Sequence, residues 1–325
     1  MSTLFPAMER ASPACWSQPG GTADNRSWHH RLLRHEDNHY NWTDCEASHL
    51  SKVPVTLLIC LCGLVGNGAV LWFLGSRVHR NPVTVYVLNL AVANFTFLLS
   101  IAIGLVIFYG PESICHRLGS RDMTTVLNIT MLFAFTANVY LLTAFSAMTS
   151  LSVLPPARCP CHRSRRLPVF VCAQLWALSF LLTVTLQDPA ALVVFVLSYL
   201  LSVLILIFSG LTLLARVLCC SWQYPPRKLC VVVLLAVIFF PFFTADFGYW
   251  LLLRLFDFSV FVFDTSLPFA CVNSSINPVI YFLVGSCAKK FTLSVRVAFQ
   301  RVFEDVTEPP NRGEAPRENT VESAV

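Results

Sequence analysis

Charge is what this sequence has least of. Of 325 residues only 13% are Asp, Glu, Lys or Arg while 55% are hydrophobic, and mean hydropathy is +0.63. A soluble domain carries roughly 25% charged residues to face water, so that class is excluded and a bilayer is the expected solvent. An apolar h-region is also missing from Met1 to Trp16, so no cleavable signal peptide is expected and the first spanning helix must direct insertion. The thirteen cysteines include no C-x-x-C motif and have no accompanying His cluster, so no metal is expected. No nucleophile with a base and no phosphate loop is visible, which leaves no expectation of an enzyme or a cofactor. Paired half-repeats and several facing intramembrane charges, the marks of a transporter or channel, are absent too. The net charge of +5 implies no nucleic-acid partner in so apolar a chain; its placement matters more than its size.

What is present is a series of seven long apolar stretches, near Val53 to Leu74, Val83 to Tyr109, Thr124 to Thr149, Leu167 to Leu186, Ala190 to Cys219, Leu229 to Leu253 and Val260 to Val284. Each suffices to cross about 30 Å of hydrocarbon as a helix. None has strand-like alternation, and backbone groups in lipid must be bonded within the segment. The first, third and fifth connections carry Arg77 and Arg80, then Arg158, Arg163, Arg165 and Arg166, then Arg216, Arg227 and Lys228. The even-numbered ones carry only Arg117, Arg121 and Arg254. The basic side is expected to be cytoplasmic, which places the N-terminus outside a plasma-membrane protein.

Residues 1–52 are polar and without helical or strand period, so they read as a disordered extracellular tail. The tail holds two glycosylation sequons, at Asn25 and Asn41; similar triplets at Asn94, Asn128 and Asn273 fall inside apolar stretches. Cys15, Cys45 and Cys115 are all on the expected outer side, and a Cys45 to Cys115 disulfide is one pairing they allow. Over residues 285–303, Phe291, Val295, Ala298, Phe299 and Val302 fall on one helical face between Lys289, Lys290, Arg296 and Arg301. This predicts an amphipathic helix on the inner membrane surface, with Cys287 a candidate for palmitoylation. Residues 304–325 read as a disordered tail whose last residues, from Ser323 to Val325, fit recognition by a PDZ domain. The expected fold is thus all-α, a seven-transmembrane helix bundle over residues 53–284 with a short amphipathic inner-surface helix.

Near the inner end of the seventh stretch stands Asn277-Pro278-Val279-Ile280-Tyr281. A proline there frees a backbone carbonyl and permits a kink. With Gly66-Asn67 in the first stretch and Trp176 in the fourth, this resembles the N-P-x-x-Y arrangement of rhodopsin-like G-protein-coupled receptors. Longer runs resemble the Mas-related receptors, nearest the proto-oncogene Mas branch. These include Leu61 to Gly68 leading into Leu71 to Leu74, Arg80-Asn81-Pro82, Leu151 to Leu154, Asn273 to Pro278 and Phe282 to Ser286. The resemblance covers roughly Val53 to Asp305. It implies a receptor for an extracellular ligand, with membrane lipid around it and a heterotrimeric G protein as inner partner. Asn67, Asn94, Thr149, Trp176, Asn277, Pro278 and Tyr281 fall at its activation and coupling positions.

Departures from the family pattern qualify that expectation. Where the family has Glu-Arg-Cys at the end of the third span, this chain has Met148, Thr149 and Ser150; Thr149 has neither the charge nor the reach of the Arg that meets the G protein. Asn94 stands where an Asp would bind sodium, so no strong sodium site is expected. Leu-Pro-Phe-Gly of the sixth span is here Ala245-Asp246-Phe247-Gly248, with Pro241 about one turn earlier. The connection between the fourth and fifth spans shrinks to Gln187-Asp188-Pro189, and Leu186 occupies the place of an acid used by family members that bind cationic ligands. Asp188, Asp246 and Asp264 together are therefore the candidate rim for a peptide or small cationic ligand. Two functions follow: an orphan-type signalling receptor, or a non-signalling relative that partners or traffics other receptors.

Overall fold

The computed structural model describes the backbone of residues 28–75, 82–109, 121–153, 166–186, 188–219, 227–255, 263–286 and 294–303. Within these segments the side chains of 28–51, 108–109, 121–122, 124, 227, 246–247, 249–265 and 300 lie outside the description. The described residues form eight helices and no strand: α1 (Trp28–Gly75), α2 (Pro82–Tyr109), α3 (Arg121–Val153), α4 (Leu167–Val184), α5 (Pro189–Cys219), α6 (Arg227–Leu255), α7 (Phe263–Ser286) and α8 (Val295–Phe303). The first seven each contain a segment long and apolar enough to cross a membrane.

The helices follow from the solvent. In lipid an unpaired N–H or C=O costs several kcal/mol, and the i to i−4 ladder pairs them without a partner chain. The hydroxyls follow the same logic: Thr56, Thr136, Thr143 and Thr183 each donate to a carbonyl four residues back in their own helix, at 2.7–2.8 Å. A threonine inside such a helix therefore needs no neighbour.

α3 is the central helix, packed against α2, α4, α5 and α6. Its spanning window is 67% buried, whereas that of α5 is 17% buried and those of α1 and α4 are 28%. The core around α3 is apolar, with Phe97, Leu98, Leu132 and Leu141 almost wholly enclosed and Tyr86 stacked on Phe145 at 5.8 Å between ring centroids. Lipid tails are as apolar as Leu, so the fit of these side chains and the polar bonds between helices hold the bundle. At one point the fit is close enough to require glycine. A Cβ on Gly63 would collide with Ser275 Oγ of α7 and with the side chain of Leu98 of α2, so the missing side chain is what lets both pack onto α1.

Two elements differ from expectation. α1 begins at Trp28, although its membrane-crossing part begins only at Lys52; the polar stretch expected to be structureless is helical from 28 to 51. Once a stable helix exists, adding residues to its end avoids the unfavourable nucleation step, a context that period-reading of the tail does not contain. The short helix after α7 is α8, nine residues long instead of the expected 285–303. Its apolar side faces protein: Ala298, Phe299, Val302 and Phe303 are buried, and the helix packs on α7, α1 and α6. An amphipathic stripe reports an apolar neighbour without distinguishing lipid from protein.

Candidate functional site: the polar contacts of α1, α2, α3 and α7

Asn67 joins α1 to α7. Its Nδ2 donates to Gly63 O at 2.8 Å in its own helix and to Ser274 O at 3.0 Å across the interface. The second bond reaches α7 four residues before Pro278, and Ser275 Oγ sits beside it between Cys271 O at 2.8 Å and Ile59 O at 3.2 Å. Pro278 is packed against Gly66. Since Pro278 cannot bond Ser274 O itself, the Asn67 amide serves that carbonyl from the side. Asn277 is buried in the same stretch. The structure thus sets Asn67 at the α1–α7 interface, on the carbonyl that Pro278 leaves unbonded.

Asn94 in α2 and Asn138 in α3 are also buried. Neither amide atom of Asn94 has a hydrogen-bond partner, and Asn138 Oδ1 has none either. Desolvated, unbonded amides are costly, and such residues within spans tend to carry function. Asn94 was anticipated from the sequence; Asn138 was not, although an Asn amid Thr136, Ala137 and Val139 is a readable signal of the same kind.

Toward the end of the bundle where α3 finishes and α6 begins, Tyr281 is buried edge-on to Phe299 at 6.4 Å and Phe303 at 5.5 Å, both on α8. Phe73 of α1 meets Phe299 at 6.2 Å. Gly285 allows this: a Cβ there would strike the backbone carbonyl of Ala298. Lys228 Nζ of α6 donates to Arg301 O of α8 at 3.3 Å. Thr149 is buried and its Oγ1 donates to Phe145 O at 2.8 Å. Among the described residues, the cation that reaches the end of α3 is Arg216 of α5, whose Nη2 donates to Val153 O at 2.6 Å. Sequence reading had counted Arg216 only as topological charge. Trp176 of α4 donates to Asn89 Oδ1 at 2.8 Å, and Asn89 Nδ2 donates to Val85 O at 2.7 Å, so Trp176 fastens α4 to α2.

At the opposite end, Asp188 is exposed and caps α5. Its Oδ1 accepts from Ala190 N at 2.9 Å and its carbonyl from Leu192 N at 3.0 Å, with Pro189 at the first helical position, where no N–H is missed. The turn from Thr185 to Asp188 links α4 to α5 directly. Asp246 belongs to α6 and Asp264 to α7, but their side chains lie outside the described residues. So do Asn25, Cys115, Cys287, Ser323 and Val325, and the side chains of Asn41 and Cys45.

Seven spans joined through an α1 asparagine and a proline-bearing α7 define the class of rhodopsin-type receptors, and residues 66–187 match the family described as 7 transmembrane receptor (rhodopsin family). The chain is 36% identical over 276 residues to the proto-oncogene Mas of Rattus norvegicus, covering 78% of this chain and 84% of that protein. It is 35% identical over 292 residues to the Homo sapiens protein of the same name, covering 83% and 89%. With Mas-related G-protein coupled receptor member D of Homo sapiens it shares 35% identity over 280 residues, covering 77% and 83%. The chain belongs to the Mas-related G-protein-coupled receptors, multi-pass proteins of the plasma membrane.

Proposed function

We propose that this receptor takes an extracellular peptide or small cationic ligand at the end of the bundle where Asp188 caps α5, and signals to a heterotrimeric G protein at the end where α3 and α5 finish. The feature that supports the ligand reading is the position of three acids along their helices, all in the half of the bundle where α5 starts: Asp188 before the first residue of α5, Asp246 in the second half of α6 and Asp264 in the first turn of α7. Lys and Arg concentrate in the connections at the other end, and that asymmetry supports an N-terminus outside the cell. A cation approaching the acidic mouth meets a short rim, because the α4–α5 turn projects little chain above it.

A second reading is favoured by Thr149. Its hydroxyl is turned back onto Phe145 O, so it offers a G protein no cation, and a receptor-like partner of other receptors would tolerate that. G-protein dissociation biosensors in living cells separate the two. Surface-matched wild type and Thr149→Arg are compared before and after basic peptides, with Asp188→Asn alongside. Peptide-dependent dissociation by wild type supports the signalling reading; a response from Thr149→Arg alone favours the silent partner. Asn caps a helix as well as Asp does, so Asp188→Asn removes charge while α5 keeps its start. An undiminished peptide response in that variant would argue against a ligand role for Asp188.

A further inference from the structure

Cys60 of α1 and Cys271 of α7 are fully enclosed, and the Cys60 thiol donates to Cys271 Sγ at 3.6 Å. Of the six cysteines whose side chains are described, only these two meet sulfur to sulfur. The backbone around them is fixed from both sides. Ser275 Oγ, one turn after Cys271, lies between Cys271 O at 2.8 Å and Ile59 O, the carbonyl just before Cys60, at 3.2 Å. Gly63, one turn after Cys60, has no side chain to hold Ser275 away. Counted from Lys52 and Ser266, the pair lies 8 residues into the first span and 5 into the seventh. The two sulfurs therefore stand at nearby depths, about 12 Å and 8 Å along their helices.

We propose that Cys60 and Cys271 are a reversible disulfide site, a dithiol that a small uncharged peroxide oxidises to a covalent tie between α1 and α7. With hydrogen peroxide, one sulfur attacks a peroxide oxygen, the O–O bond breaks, and the thiol proton leaves with the departing oxygen as water, giving a sulfenic acid. The second sulfur attacks the sulfenic sulfur, the S–S bond forms, and the sulfenic oxygen departs with the second thiol proton as another water. The two thiols lose two electrons and the peroxide gains them. Closure asks little of the fold: a separation of 3.6 Å must fall to ~2.05 Å, which rotation about the two Cα–Cβ bonds supplies. Enclosure slows the first step, since buried thiols are poor nucleophiles, but it decides the second. A sulfenic acid formed here has one thiol within reach, and no bulky or charged thiol from solution can enter to cap it. The tie falls 7 residues before Pro278, so it holds the part of α7 ahead of the proline against α1.

The full-length chain, with a protease recognition site inserted between residues 154 and 166 and a tag at each end, is treated with hydrogen peroxide in native cell membranes. It is then blocked with N-ethylmaleimide, denatured without reductant and cut. The two fragments are expected to stay joined in wild type and in Cys62→Ala until reductant is added, and to part without reductant in Cys60→Ala and in Cys271→Ala. Fragments that separate in oxidised wild type overturn the proposal, as does a link that survives in either Cys60→Ala or Cys271→Ala. Should a variant fail to fold, mass spectrometry of the oxidised wild type decides. A disulfide joining the peptides that carry Cys60 and Cys271 is expected, and sulfinic acid at either residue, or two unmodified thiols, refutes the site. The tie is also expected to raise the Tm of oxidised wild type by roughly 5 °C or more over the untreated protein, with no such rise in Cys271→Ala. A linked chain with an unchanged Tm would overturn the role of the disulfide in holding α7 to α1.

Discussion

Asn67 and Asn94 are both amides buried in apolar helices, yet only Asn67 is bonded, through Gly63 O and Ser274 O. Removing each should therefore act differently. Asn67→Leu leaves Ser274 O beside a proline that cannot serve it. The expected loss is about 1–2 kcal/mol, within the range for interhelical bonds in membranes, or a Tm lower by several degrees. Thermal unfolding in detergent, followed by the reaction of the buried thiols with a fluorogenic maleimide, measures it; an unchanged Tm would show that the α1–α7 bond is not a stabilising contact. Asn94→Asp places a charge where no partner group is bonded, a cost that a bound cation relieves. The Tm of this variant is expected to rise with sodium chloride relative to choline chloride, while wild type responds equally to both salts. A sodium-specific rise in wild type would contradict the neutral-amide reading. At this scale the sequence marks the residues but not their partners. Asn67, Asn94 and Trp176 stand out as polar or indole groups in spans, but nothing local couples Trp176 to Asn89, 87 residues away. Nor does anything local show that Thr149 is satisfied by its own helix.

The elements were legible where one solvent dictates them. Seven apolar runs in lipid leave the helix as the available solution, and the expected spans match those of the structure to within several residues at most ends. The turn between α4 and α5 was equally readable, since Asp188-Pro189 is a cap followed by a residue suited to the first turn. α8 was not, because its apolar stripe was compatible with two neighbours and the choice rests on Gly285, far from any period. The close approach of Ala298 to Gly285 makes a single methyl decisive. Gly285→Ala should push α8 from α7, separate Phe299 and Phe303 from Tyr281, and leave the seven spans in place. Hydrogen exchange in nanodiscs is the measurement: protection over 295–303 is expected to fall at least tenfold, with α3 unchanged. Retained protection over α8 would mean that the Gly285 contact does not determine where α8 sits.

At the scale of the whole molecule, polarity is arranged for a membrane and charge for a direction. Many Ser and Thr are buried among the core Leu, Val and Phe, further Leu and Val cover the outside, and the basic connections gather where α3 and α5 end and α6 begins. If that basic side is cytoplasmic, residues 1–51 are outside, and the sequons at Asn25 and Asn41 enter the compartment in which glycans are attached. The three remaining sequons begin at Asn94, Asn128 and Asn273, all buried within the bundle, so they can take no glycan in either orientation. Enzymatic removal of N-glycans should therefore speed the migration of wild type and leave the combined Asn25→Gln and Asn41→Gln variant unmoved. Asn41 lies eleven residues before Lys52 in α1, about 16 Å along a helix, which lifts it clear of the headgroups. An unglycosylated wild type together with an N-terminal epitope hidden on intact cells would reverse the orientation. The acids at Asp188, Asp246 and Asp264 would then face the cytoplasm, and the ligand reading would fall with the topology that supports it.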